Sequence, residues 1–83
     1  MDLLARTPEQ IGEAIRRSRK SKGLTQKDIS NRTNLRVATV SSLENGDAGT
    51  QLRTILAVMT VLELEFRIAD RRQASAKDIE DIF

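Results

Sequence analysis

Three residues that accept left-handed backbone, Gly23, Asn34 and Gly46, do most to restrict what this chain can become. Each follows a stretch of helically spaced apolar residues, and a glycine or asparagine in that conformation is a common way for a helix to stop. The segment between Gly23 and Asn34 leaves room for a helix of about two turns. Before it, Thr7 is a natural N-cap, Pro8 suits a first helical turn and Gln10 completes a capping-box pattern, so a first helix is expected over residues 8–21. Ile11, Ile15 and Ser18 continue one face of it, and the basic last turn with Arg19, Lys20 and Lys22 complements the helix dipole. Thr25 caps the second helix, with Asp28 at its third position and Ile29 facing inward. The third is "NLRVATVSSLENG", where Leu35, Val40 and Leu43 fall at roughly helical spacing opposite a face of mostly small polar groups. After the loop "DAGT", Thr50 or Gln51 starts a fourth, strongly apolar helix through Leu52, Ile55, Leu56, Met59 and Leu62.

Composition agrees with helices. A chain of 83 residues buries only about 60% of its unfolded surface, and with two Phe and no Trp or Tyr its thin core must be Leu, Ile, Val and Ala. That suits close helix packing, and the fold class expected is all-α, a bundle of four to five helices. There is no Cys and no His, which removes disulfides, thiolate sites and the usual nucleophile, base and zinc ligands. An enzyme is not expected, nor a metal, a cofactor or a small-molecule substrate. No apolar run approaches the ~18 residues of a membrane span, and "MDLLARTPEQ" lacks the basic start and apolar stretch of a signal peptide. These features fit a soluble protein of a reducing cytoplasm, with no membrane partner.

The small net charge hides an asymmetry. Residues 6–36 hold nine basic and three acidic side chains, whereas residues 37–83 hold five and eight. Such a basic half suits a polyanionic partner, although a solvated helix surface would read the same way.

Two short helices joined by a three- to four-residue turn have the spacing of a helix-turn-helix. The stretch "GLTQKDISNRTNLRVATVSSLENG" is similar to the helix-turn-helix core of the Cro/repressor-type (XRE) DNA-binding proteins, in its Gly-Leu-Thr-Gln start and its Val-Ser-x-Leu-Glu-x-Gly end. The resemblance covers about residues 8–64. Ser30 departs from the family's usual Ala and Asn34 from its usual Gly. The resemblance implies that helix 3 enters the major groove, with Gln26, Arg36, Val37, Ala38, Ser41 and Ser42 reaching base edges. Arg36 could hold guanine O6 and N7 together, while Val37 and Ala38 are short enough to let the helix sink and touch thymine methyls. The competing reading makes Val37 and Ala38 core residues. Lys20, Lys22, Thr25, Lys27, Thr39 and Asn45 are the expected phosphate contacts. Glu44 is implied to pair with Arg19, fixing helix 3 against helix 1 rather than reading DNA.

Beyond helix 4 the period changes. In "LEFRIA", Leu64, Phe66 and Ile68 alternate with Glu65 and Arg67, the repeat of a half-buried strand. A lone strand needs a partner, and the simplest is its copy in a second chain, giving a two-stranded ribbon across a homodimer. The alternative is a helix 4 that runs on to residue 69. A dimer would set two recognition helices about 34 Å apart, matched to the half-sites of a palindromic operator. The organisation expected is a helix-turn-helix domain over 1–63, a dimerisation strand over 64–70 and a short tail over 71–83. In the tail, Ser75 and Asp78 form a capping-box pattern, and Ile79, Ile82 and Phe83 line up as a possible partner contact or an element folded back on the dimer.

The strand and tail after a Cro-like domain resemble the HipB-type antitoxins. That likeness implies a bacterial, cytoplasmic, nucleoid-associated repressor that binds its own operator and a HipA-type serine/threonine kinase toxin. Two other readings stay open: a stand-alone phage-type repressor, and a protein-interaction module that has lost DNA binding. The last would be expected to carry acidic or bulky residues over 36–42, a stretch that has no acidic side chain and beyond Arg36 only small or short ones.

Overall fold

The computed structural model describes residues 3–71, and their regular structure is four helices: α1 (Pro8–Ser21), α2 (Gln26–Thr33), α3 (Val37–Glu44) and α4 (Leu52–Val61). The tail residues Ile79, Ile82 and Phe83 lie outside the described residues.

Side chains that satisfy free backbone groups set the helix boundaries. At the start of α1, the Thr7 hydroxyl accepts from the Gln10 N–H at 3.1 Å. The return bond of a capping box goes elsewhere, because Gln10 Oε1 accepts from the Arg6 N–H at 2.6 Å rather than from Thr7. α2 carries the complete box: the Asp28 N–H donates to Thr25 Oγ1 (3.0 Å) and the Thr25 N–H to Asp28 Oδ2 (2.8 Å). Asn34 ends α2 with φ of 60°, the left-handed conformation its sequence position suggested. The turn that follows is tied by side chains: Ser30 Oγ donates to the Leu35 carbonyl, and Thr33 Oγ1 donates to the Ile29 carbonyl (2.7 Å) while accepting from the Leu35 N–H (3.2 Å). The two departures from the family pattern, Ser30 and Asn34, thus both serve the turn.

The core is Ile15 of α1, Ile29 of α2, Val40 and Leu43 of α3, and Val58 and Met59 of α4 with the adjoining Leu62, all buried. Ile11, Leu24, Leu35, Ile55, Val61 and Leu64 pack around it. α3 is held between α1 and α2, and α4 closes against α2. The approach of α1 to α3 requires glycine: a Cβ on Gly12 would collide with the Leu43 carbonyl and stand 2.6 Å from that of Glu44. Gly46, at φ of 85°, carries the chain off α3 so close to α1 that a Cβ there would stand 2.8 Å from the Glu9 Cα.

α4 stops at Val61, which removes the reading in which it continues to residue 69. Glu63 turns left-handed (φ 57°), and the Leu64 N–H returns to the Met59 carbonyl at 2.8 Å. Residues 64–71 have no regular secondary structure. Leu64 is half-buried on the core, whereas Phe66 (46% exposed) and Ile68 lie open.

Candidate nucleic-acid interface

The site is built on α3, a helix whose two faces have separate tasks. Val40, Leu43 and Glu44 are buried. Val37, Ala38, Ser41, Ser42 and Asn45 repeat at the spacing that shares the other face. Of these, Val37 is 39% exposed, Ala38, Ser42 and Asn45 are exposed and Ser41 is half-buried. That placement answers the competing reading of Val37 and Ala38 as core. Arg36 is the exposed N-cap of α3, with no side-chain bond to the helix end, and Thr39 is half-buried.

The orientation of α3 is fixed by a buried ion pair. Arg19 Nε donates to Glu44 Oε2 at 2.7 Å and Nη2 to Oε1 at 2.9 Å, a two-pronged geometry, while Nη1 donates to the Leu24 carbonyl at 2.8 Å. Arg19 is 8% and Glu44 6% exposed. The hydrogen bonds to Glu44 outweigh burial and raise the Arg19 pKa above its ordinary value, so the guanidinium is charged throughout. Glu44 Oε1 also accepts from Gln26 Nε2 at 3.1 Å. One carboxylate therefore ties together α1, the start of α2 and the end of α3.

The basic side chains differ in their surroundings. Lys20 and Lys27 are exposed. Lys22 Nζ donates to the Leu62 carbonyl at the end of α4, so this ammonium has an internal partner. The exposed Thr25 has its hydroxyl engaged in the α2 cap, and Asn45 Nδ2 reaches Ser41 Oγ at 3.5 Å. Sequence reasoning did not find the Gln26–Glu44 bond or the Lys22–Leu62 contact, because neither partner is fixed by spacing along the chain. A strongly apolar α4 does not by itself reveal that Leu52 (61% exposed) and Leu56 (44%) form an open row one turn apart.

Two surface depressions, of about 190 Å³ beside Pro8, Ile11 and Ile55 and about 210 Å³ under Leu3 and Leu4, fall short of the 300–1,000 Å³ common for small-molecule sites. Among the described residues, no helix is long and apolar enough to cross a membrane.

A four-helix unit with an exposed, small-sided third helix defines a helix-turn-helix protein. The helix-turn-helix (HTH_3) family model matches residues 15–68, and the chain belongs to this Cro/repressor-type family. Within it the chain is similar to the antitoxin HipB of Escherichia coli strain K12, at 30% identity over 74 residues, covering 89% of this chain and 84% of that protein. The antitoxin HipB of E. coli strain CFT073 is likewise 30% identical, with 79% of its length covered. Among solved structures, a HipB–O4 20mer complex superposes with a TM-score of 0.80 at 27% identity, and a HipA–HipB–O2–O3 complex with 0.79 at 27%; each match covers 86% of this chain and 100% of the other.

Proposed function

We propose that this chain is a dimeric, operator-binding antitoxin that represses its own operon and binds a HipA-type serine/threonine kinase toxin in the bacterial cytoplasm, at the nucleoid. The observation that carries this reading is the α3 face of Arg36, Val37, Ala38, Ser41 and Ser42, held open by the Arg19–Glu44 pair in a fold that superposes on a HipB–O4 20mer complex. An eight-residue helix with short side chains fits the major groove, where Arg36 would read guanine and Val37 and Ala38 would meet thymine methyls. Gln26 completes the base contacts, and Lys20, Lys27, Thr25, Thr39 and Asn45 flank them as phosphate contacts. The chemistry is recognition, not catalysis.

Dimerisation through residues 64–70, with Leu64, Phe66 and Ile68 inward, gives the exposed Phe66 and Ile68 a covering and pairs their backbone with a second copy. In this reading residues 1–63 bind DNA, and Ile79, Ile82 and Phe83 of the 71–83 tail contact the kinase.

The test is footprinting of the upstream region with purified protein, joined to affinity capture from native lysate. Protection of an inverted repeat and recovery of a kinase are expected. A protein that ignores every inverted repeat near its coding region overturns the repressor reading, and capture without a kinase overturns the antitoxin reading alone.

A further inference from the structure

The chain leaves α4 through a backbone conformation that its own residue does not favour. Glu63 has φ of 57°, in the left-handed region that L side chains rarely adopt. Among the described residues the other non-glycine found there is Asn34, whose short polar side chain suits it. Neighbouring structure must hold Glu63 in place. On its C-terminal side, the Leu64 N–H returns to the Met59 carbonyl at 2.8 Å and Leu64 packs on the core. On its N-terminal side, Leu62 is fully buried and its carbonyl accepts from Lys22 Nζ. Lys22 is the C-cap of α1, and Leu62 is the C-cap of α4. One residue therefore closes one helix with its backbone and reaches the open end of another with its ammonium, where the dipole favours a cation.

Resting on the reading of residues 64–70 as the dimerisation strand, we infer that Lys22 is a positioning residue for half-site spacing: by pinning the Leu62–Glu63 peptide to the end of α1, it sets the angle at which the strand leaves the DNA-binding unit. α3 is held between α1 and α2, so whatever fixes the strand against α1 also fixes the separation of two recognition helices in a dimer. Over a lever of about 20 Å, a rotation of about 10° moves a helix by roughly 3.5 Å, close to the rise of one base pair. A loose junction would accept half-sites one pair nearer or farther. A pinned junction selects among them. The basic residue at 22 thus acts on operator choice through the geometry it enforces, without touching a phosphate.

The experiment uses the full chain, the operator that footprinting defines, versions of it with the centre lengthened or shortened by one base pair, and an isolated half-site. Affinity is read by fluorescence anisotropy over a range of salt. The unaltered protein should prefer the native spacing about ten-fold over its neighbours, and Lys22→Met should shrink that preference to less than about three-fold. Affinity of Lys22→Met for the half-site, and its slope of log affinity against log salt, should match those of the unaltered protein. Lys22→Arg, which keeps a donor of similar reach, should restore the preference. A contact that only stabilises the fold would lower the melting temperature of Lys22→Met and leave the spacing preference intact. A phosphate contact would weaken half-site and full operator alike and lower the salt slope by about 0.9. Either result overturns this inference and leaves operator binding standing. A protein that binds the half-site as tightly as the full repeat overturns the dimer reading and this inference together.

Discussion

At the scale of single residues, Arg36 and Lys20 are both exposed cations, yet the proposed interface gives them different consequences. Arg36→Ala should weaken binding to the operator by about 1–3 kcal/mol and to random DNA much less, measured by competition titration. Lys20→Ala should weaken all sequences alike and reduce the slope of log affinity against log salt by about 0.9. Lys22 makes a useful contrast, since its ammonium lies on the Leu62 carbonyl. Its replacement should change the salt slope less than that of Lys20. The buried pair behaves differently again. Glu44→Ala leaves the Arg19 guanidinium without its partner in the interior, and urea unfolding should show a loss of about 3–5 kcal/mol.

At the scale of elements, the limits of α1 and α2 could be read from the sequence because local chemistry sets them: Thr7 with Pro8, Thr25 with Asp28, and left-handed Asn34 each act within a few residues of the chain. The start of α3 was less legible, for Arg36 caps it without a side-chain bond and the boundary depends on packing. Which residues of α4 face water was not legible at all. Leu52 and Leu56 follow the same period as Ile55 and Met59, and only the placement of α2 decides between them. Of the candidate site, the exposed α3 face followed from spacing, whereas the bond from Gln26 to Glu44 joins two helices and leaves no mark in either. The α2 cap has a pH signature. The Thr25 backbone N–H, and after it the Thr25 hydroxyl, hold the Asp28 carboxyl below the ordinary carboxylate range. A depressed native pKa means stability that is complete above the unfolded value of about 3.9 and is lost as pH falls through the lower native one. Asp28→Asn should therefore lower stability at neutral pH and progressively less as pH falls through the native pKa, flattening the acid limb of a stability–pH profile. Where α1 crosses α3, Gly12→Ala inserts a methyl against the Leu43 and Glu44 carbonyls. Thermal unfolding should register about 1–3 kcal/mol of overpacking, with operator affinity falling as α3 is pushed aside.

At the scale of the whole molecule, a dimer makes affinity for a palindrome depend on residues remote from DNA. Phe66→Glu should shift sedimentation toward the monomer and weaken binding to a full inverted repeat far more than to an isolated half-site. The division of α3 into a buried Val40, Leu43 and Glu44 and an exposed set bears on how such a protein diversifies. Every anchor that keeps the helix in place is on the inward side, so the outward letters can be rewritten with little thermodynamic penalty. Relatives that share this chassis are free to drift toward different genomic addresses, and neighbouring operons in one cell could carry near-identical scaffolds without silencing each other.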